Sequence, residues 1–181
     1  MTVIVAVSDG ERVCMACDSQ ATNNGSKLTL ATSKIVRRGP VLFGPCDGPT
    51  IGAIRYQMPE PPQSLDLEQW VRTEWLPWLR ELQRGERILE TDNGAEKLRC
   101  QTLIACGAVM LAVDYSGHAV RTSEPFIATG SAWCEARGAM WAAGARERVI
   151  DPEGVARVGV EAAIALDSGC GPPVRVEWTD R

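Results

Sequence analysis

The chain has 181 residues, 45% of them hydrophobic and 23% charged, with a formal net charge of −4 at pH 7. That size and balance fit one compact domain with a real core, here taken to span 1–181, and exclude a disordered or fibrous chain. The acidic balance, with a sequence pI of about 5.1, speaks against nucleic acid as a main partner, because phosphate backbones are met by basic surfaces.

Residues 2–7 read as a strand buried on both faces, because odd and even positions are equally apolar. No basic stretch precedes this apolar run, so a signal peptide is not expected. Asp9-Gly10 signals a hairpin turn into a second strand over 12–17, which ends at Asp18. Residues 23–26, Asn-Asn-Gly-Ser, read as a loop. A short strand is predicted over 34–38, a turn at Gly39-Pro40, another strand over 41–43 and a helix over 50–56. Pro59, Pro61 and Pro62 mark an irregular connector.

Ser64 or Asp66 caps the next predicted helix, where Leu67, Trp70, Val71, Trp75, Trp78, Leu79 and Leu82 recur at helical spacing. Pro77 inside this pattern predicts a kink or break near Leu76. Residues 86–98 are polar, with a turn at Asp92-Asn93-Gly94. Strands are predicted over 102–106, 109–115, 118–121 and 126–129. The run 102–113 is the longest apolar one and falls short of the roughly 18 residues that suggest a membrane span. Ser131 starts a helix rich in Ala and Gly that runs to about residue 149. Asp151-Pro152 caps the last helix, with Val155, Val158, Ala162, Ala165 and Leu166 on one face. Residues 174–178 close the chain as a strand. Strands, two helices, strands, two helices and a strand fit an α+β fold, a four-layer αββα sandwich, better than alternating βαβ units.

The chemistry begins at Thr2. Removal of Met1 leaves Thr2 with a free α-amine, whose ordinary pKa near 7.7–8.0 suits it to deprotonate its own hydroxyl. A hairpin loop of two or three residues places residue 2 opposite 17 or 18, so Asp18 comes beside the chain end. A lysine there would hold the amine neutral by like-charge repulsion.

Residues 2–7, then Cys17-Asp18-Ser19-Gln20-Ala21-Thr22 and Ser33-Lys34-Ile35-Val36-Arg37, resemble the N-terminal third of proteasome β-type subunits and of the bacterial heat-shock-locus V peptidase. In that family the aspartate lies 16 and the lysine 32 residues beyond a threonine nucleophile, and here 18 − 2 = 16 and 34 − 2 = 32. The resemblance implies the N-terminal-nucleophile hydrolase fold and a threonine-type endopeptidase. It implies Lys34 as the cation, Gly44 as the oxyanion-hole donor, Ser131 in Thr129-Gly130-Ser131 as an accessory serine, and Asp167 as an accessory aspartate. Ala21, Thr32 and Cys46 line a specificity pocket by position. Pro45, Cys46 and Asp47 depart from the small residues usual after the glycine, and Cys170 stands near an expected serine. No metal or organic cofactor is required.

The family further implies rings of identical subunits, six or seven to a ring, an unfolded polypeptide substrate and a separate ATPase unfoldase. Cys14 and Cys17 form a CxxC, but on a strand they face opposite ways, which speaks against zinc or redox work. Seven cysteines form no disulfide framework, so a cytoplasmic location is expected, with no membrane partner. Arg37, Arg38, Arg146 and Arg148 read as solvated or interfacial. The rival readings are a catalytically silent scaffold of the same fold, a small-molecule amidase, and an assembly module in which Thr2 is never unmasked. A strand that starts at once and the retained trio speak against the scaffold, and oligomer size separates ring peptidase from amidase.

Overall fold

In the computed structural model, residues 2–62, 66–92, 94–146 and 149–180 are described. Strands β1 (Val3–Ser8) and β2 (Val13–Cys17) form a hairpin buried on both faces. Its register runs from Ile4 opposite Cys17 to Ser8 opposite Val13. The loop therefore holds four residues, 9–12, where two or three were expected. The Asp9 carboxylate closes it by accepting from the Glu11 and Arg12 N–H groups, each at 2.8 Å. The longer loop moves the register, so residue 3 rather than residue 2 stands opposite 18.

The sheet built on this hairpin has the order β12 (Phe126–Gly130), β1, β2, β13 (Arg175–Trp178). A second sheet has the order β11 (Ala119–Arg121), β10 (Val109–Val113), β9 (Thr102–Cys106), β6 (Val41–Pro45), β5 (Val36–Arg38). Neighbours in both sheets are antiparallel.

The alternation of side chains along β1 and β2 divides the core. Val3, Val5, Val7, Cys14 and Ala16 pack against Ala136 and Met140 of α4 (Trp133–Ala142) and Ala156 and Val160 of α5 (Pro152–Leu166). Ile4, Ala6, Met15 and Cys17 face the other way, onto Leu42, Leu103 and Met110 of the second sheet. On that sheet's far side, Phe43, Ile104 and Leu111 meet Ile54 of α1 (Gly48–Tyr56), Leu67 of α2 (Leu67–Trp70), and Val71, Trp75 and Leu79 further along. This explains why both parities of the first strand are apolar: each contacts a different layer. Each fully buried large side chain contributes about 1.5–3 kcal/mol.

Pro77 does not break its helix. The chain passes from α2 through a π-helical turn, Val71–Trp75, into α3 (Leu76–Gly85), and the Leu76 N–H bonds five residues back to the Val71 carbonyl. Proline offers no N–H and its ring crowds the preceding turn, and a widened turn accommodates both. The wide turn also serves packing. Leu67, Val71, Trp75, Leu79 and Gln83 are all buried at a constant spacing of four. A pure α-helix would rotate that row by about 40° at each step, and one wide turn resets it.

Several other expectations change. Residues 23–26 are a tight turn rather than an open loop, because Asn24-Gly25 connects β3 (Gln20–Asn23) to β4 (Ser26–Thr29). The helix expected over 131–149 ends at Ala142, where Gly144 adopts φ +95° and the Ala145 N–H caps the Met140 carbonyl at 3.1 Å. On α5 the buried face is Val155, Ala156, Gly159, Val160 and Ala163, while Val158 and Leu166 are exposed. Asp66 is the cap of α2. Ser64 and Arg148 lie outside the described residues, as does Asn93, between the paired strands β7 (Glu90–Asp92) and β8 (Ala95–Lys97). No helix among the described residues is long and apolar enough to cross a membrane.

Candidate active site

The site forms where the start of β1 meets the end of β2, the approach to β5 and the start of the α4 segment. Thr2 is seated by its backbone. Its carbonyl oxygen accepts from the Ser131 N–H at 2.9 Å, and the Ser131 hydroxyl lies 3.5 Å from the same atom. Gly130 makes that approach feasible: it has φ +101°, and a Cβ there would collide with the Thr2 carbonyl oxygen.

Lys34 stands just before β5, with a side chain 3% exposed, and its ammonium spans the site. Nζ donates to Thr2 Oγ1 at 2.6 Å and to Asp18 Oδ1 at 2.7 Å. The Asp18 carboxylate is fully buried and meets four donors. Oδ1 accepts from Lys34 and from the Val3 N–H at 3.1 Å. Oδ2 accepts from the Gln20 N–H at 3.0 Å and the Gly171 N–H at 3.2 Å. A buried carboxylate left short of donors is costly, so this set holds the charge and aims Lys34 at the Thr2 hydroxyl.

Ser131 and Asp167 form a second link. The Ser131 hydroxyl donates to Asp167 Oδ2 at 2.6 Å, and the Gly169 N–H donates to Oδ1 at 2.7 Å. The Ser131 hydrogen bond and then the Gly169 N–H hold the Asp167 carboxyl below its ordinary value. Cys170 Sγ lies 3.9 Å from Asp167 Oδ2, and burial pushes its thiol up to about 12. The thiol is therefore a neutral weak donor at the place where a serine was expected.

Gly44 sits inside β6, where a Cβ would lie 2.5 Å from Ile4 Cγ2 and 3.0 Å from Met15 Sδ. The close approach of the two sheets alone requires glycine here. Its register partner is Leu103. Two residues on, the Cys46 N–H reaches the Gln101 carbonyl at 3.1 Å, and strand alternation turns the Gly44 N–H to the same side, toward β9.

The three residues expected at a specificity pocket have separate surroundings. The Thr32 hydroxyl accepts from Arg55 at 3.2 Å. Ala21 pairs with Leu28 across the β3–β4 turn. Cys46 Sγ lies 3.9 Å from the Thr129 hydroxyl, which donates to Gln101 Oε1 at 2.9 Å. Gln20, Gly171 and Gln101 are the polar neighbours that sequence reasoning missed. For the first two a signal existed: a buried carboxylate needs more donors than one lysine supplies. Cys14 and Cys17 fall in different core layers, and burial pushes the Cys14 thiol up to about 12 and raises that of Cys17.

No protein-family model matches the sequence, and no curated protein matches it significantly. Solved structures do. The chain is similar to BPH of Thiobacillus denitrificans, with 28% identity over 99% of this chain and 98% of that one, and a TM-score of 0.82. BPH of the same organism in complex with epoxomicin aligns at 25% identity over 98% of each chain, with a TM-score of 0.81. Eukaryotic HslV from Trypanosoma brucei shares the fold at 21% identity, covering 99% of both chains, with a TM-score of 0.66. The fold is that of the proteasome-like N-terminal-nucleophile hydrolases, with mixed helix and sheet. Within that class, the chain is similar to BPH and, in fold, to HslV, which agrees with the resemblance to proteasome β-type subunits and the HslV peptidase.

Proposed function

We propose that the protein is a threonine-type endopeptidase whose nucleophile is the Thr2 hydroxyl, unmasked by removal of Met1. The observation that carries this reading is the buried Lys34 ammonium, held between Thr2 Oγ1 and Asp18 Oδ1 at 2.6 and 2.7 Å. The freed Thr2 amine takes the hydroxyl proton, directly or through a water, as Oγ1 attacks a peptide carbonyl. Lys34 stabilises the alkoxide and disfavours a second positive charge on the amine. The amine then protonates the leaving nitrogen, an ester forms at Oγ1, and water hydrolyses it to return the free threonine. Asp18 positions Lys34, and Ser131 with Asp167 steadies the Thr2 backbone. We assign no step to the Gly44 amide, which the ladder turns toward β9.

The packing of α4 and α5, the two sheets, and α1 with α2–α3 supports a four-layer αββα sandwich in one domain. The family supports a homo-oligomeric ring with the sites inside, acting on unfolded polypeptide delivered by a separate ATPase, in a cytoplasmic setting. Similarity to BPH, whose structure in complex with epoxomicin is known, makes that compound the natural probe. Intact mass is measured before and after exposure to it. The expected result is loss of Met1 and one adduct on the native chain, with none on Thr2→Ala. An adduct on Thr2→Ala, or a native protein that always retains Met1, overturns the mechanism.

A further inference from the structure

On the side of the second sheet away from Thr2, the helical stripe and the proline connector enclose a groove of about 580 Å³. Its walls include Met58, Glu60, Trp70, Glu74, Trp75 and Trp78. Phe43 fixes two of the indoles, with Trp75 stacked on it at 5.8 Å and Trp70 set edge-on at 6.2 Å. Trp75 is 1% exposed, and its Nε1 is buried with no hydrogen-bond partner among the described residues. A buried indole N–H normally finds an acceptor, so this one marks a place where an acceptor from outside the chain is wanted. The π-helical turn ends at Trp75, and such turns are frequent at functional sites.

The charges of the groove are separable. Glu60 is already engaged, by Arg38 at 2.9 Å and by the Gly39 N–H at 2.9 Å. Glu74 is exposed and has no ion pair or hydrogen bond among the described residues. The groove thus offers one uncompensated carboxylate, aromatic faces and one buried donor.

We propose that this groove binds an extended peptide segment of a partner protein through an arginine flanked by apolar residues. The guanidinium stacks on the indole faces and forks onto the Glu74 carboxylate. A backbone carbonyl of the segment accepts from Trp75 Nε1, and the apolar flanks contact Met58 and Trp78. This is a second binding site, separate from Thr2 and independent of its chemistry.

The test titrates acetyl-Leu-Arg-Leu-amide and its neutral analogue acetyl-Leu-norleucine-Leu-amide into the full chain. Binding is followed by calorimetry and tryptophan fluorescence. The arginine peptide is expected to bind about tenfold more tightly than the neutral one. Glu74→Gln, at an exposed position that folding tolerates, is expected to erase that preference while peptide hydrolysis is unchanged. Trp75→Phe removes the donor and leaves a smaller aromatic ring in its place, so it is expected to weaken both peptides alike. Equal affinity for the two peptides, no binding, or a preference that survives Glu74→Gln overturns the proposal. That last result locates binding elsewhere, including at Thr2.

Discussion

Removing the Lys34 side chain strands the Asp18 carboxylate in a buried setting, with only the three backbone N–H groups of Val3, Gln20 and Gly171 left to it. Breaking one side of a buried pair costs about 3–5 kcal/mol, and the remaining donors place Lys34→Ala at the lower end. A urea midpoint measures that loss, and peptide turnover is expected to fall nearly as far as in Thr2→Ala. Mild loss of turnover would show that Lys34 has another task. Ser131 and Asp167 give a pH-dependent counterpart. The folded Asp167 carboxyl titrates below its unfolded value, first because of the Ser131 hydroxyl. Its contribution is therefore present above the ordinary aspartate range near 3.9 and is lost as pH falls through the folded value. The stability gap between native protein and Ser131→Ala is expected to hold from pH 7 to 5 and to close below about 4. Denaturation curves at each pH measure it.

Elements show where reading from sequence succeeds. The approach of Asp18 to Thr2 is legible in the sequence because a hairpin joins the two strands that carry them, and Lys34 is legible only through the spacing it shares with the family. The hairpin register is not, because Asp9 closes a four-residue loop with its own carboxylate. The α5 face differs from the apolar stripe of the sequence because Val158 and Leu166 are apolar yet exposed, which hydrophobicity alone does not reveal. The wide turn at Val71–Trp75 was half legible: Pro77 announced a disturbance, but only packing decides that the helix widens instead of breaking. Gln83 is the buried polar member of that row. Its side chain accepts from the Arg99 N–H at 3.2 Å and donates to Thr50 at 3.4 Å. Gln83→Leu keeps the bulk but orphans the Arg99 N–H, so a loss of about 1–3 kcal/mol is expected. Chemical denaturation checks it.

At the scale of the whole molecule, α4 and α5 leave Trp133, Trp141, Val158 and Leu166 exposed. Exposed apolar patches mark contact sites, so the proposed ring gives these surfaces a use. Native mass spectrometry of the purified protein is expected to give a multiple of six or seven chains. A monomer or dimer with peptidase activity would keep the catalytic reading and remove the chamber. A monomer or dimer without peptidase activity would favour the amidase reading instead.

Gly130 leaves no room for any side chain beside the first residue's carbonyl. Randomise codon 130 and select for peptide turnover, and the survivors should spell a single amino acid. Alanine, the smallest trespasser, would already push the chain's leading carbonyl out of its berth. A one-letter filter of that kind sorts working copies of this chain from dead ones by codon 130 alone.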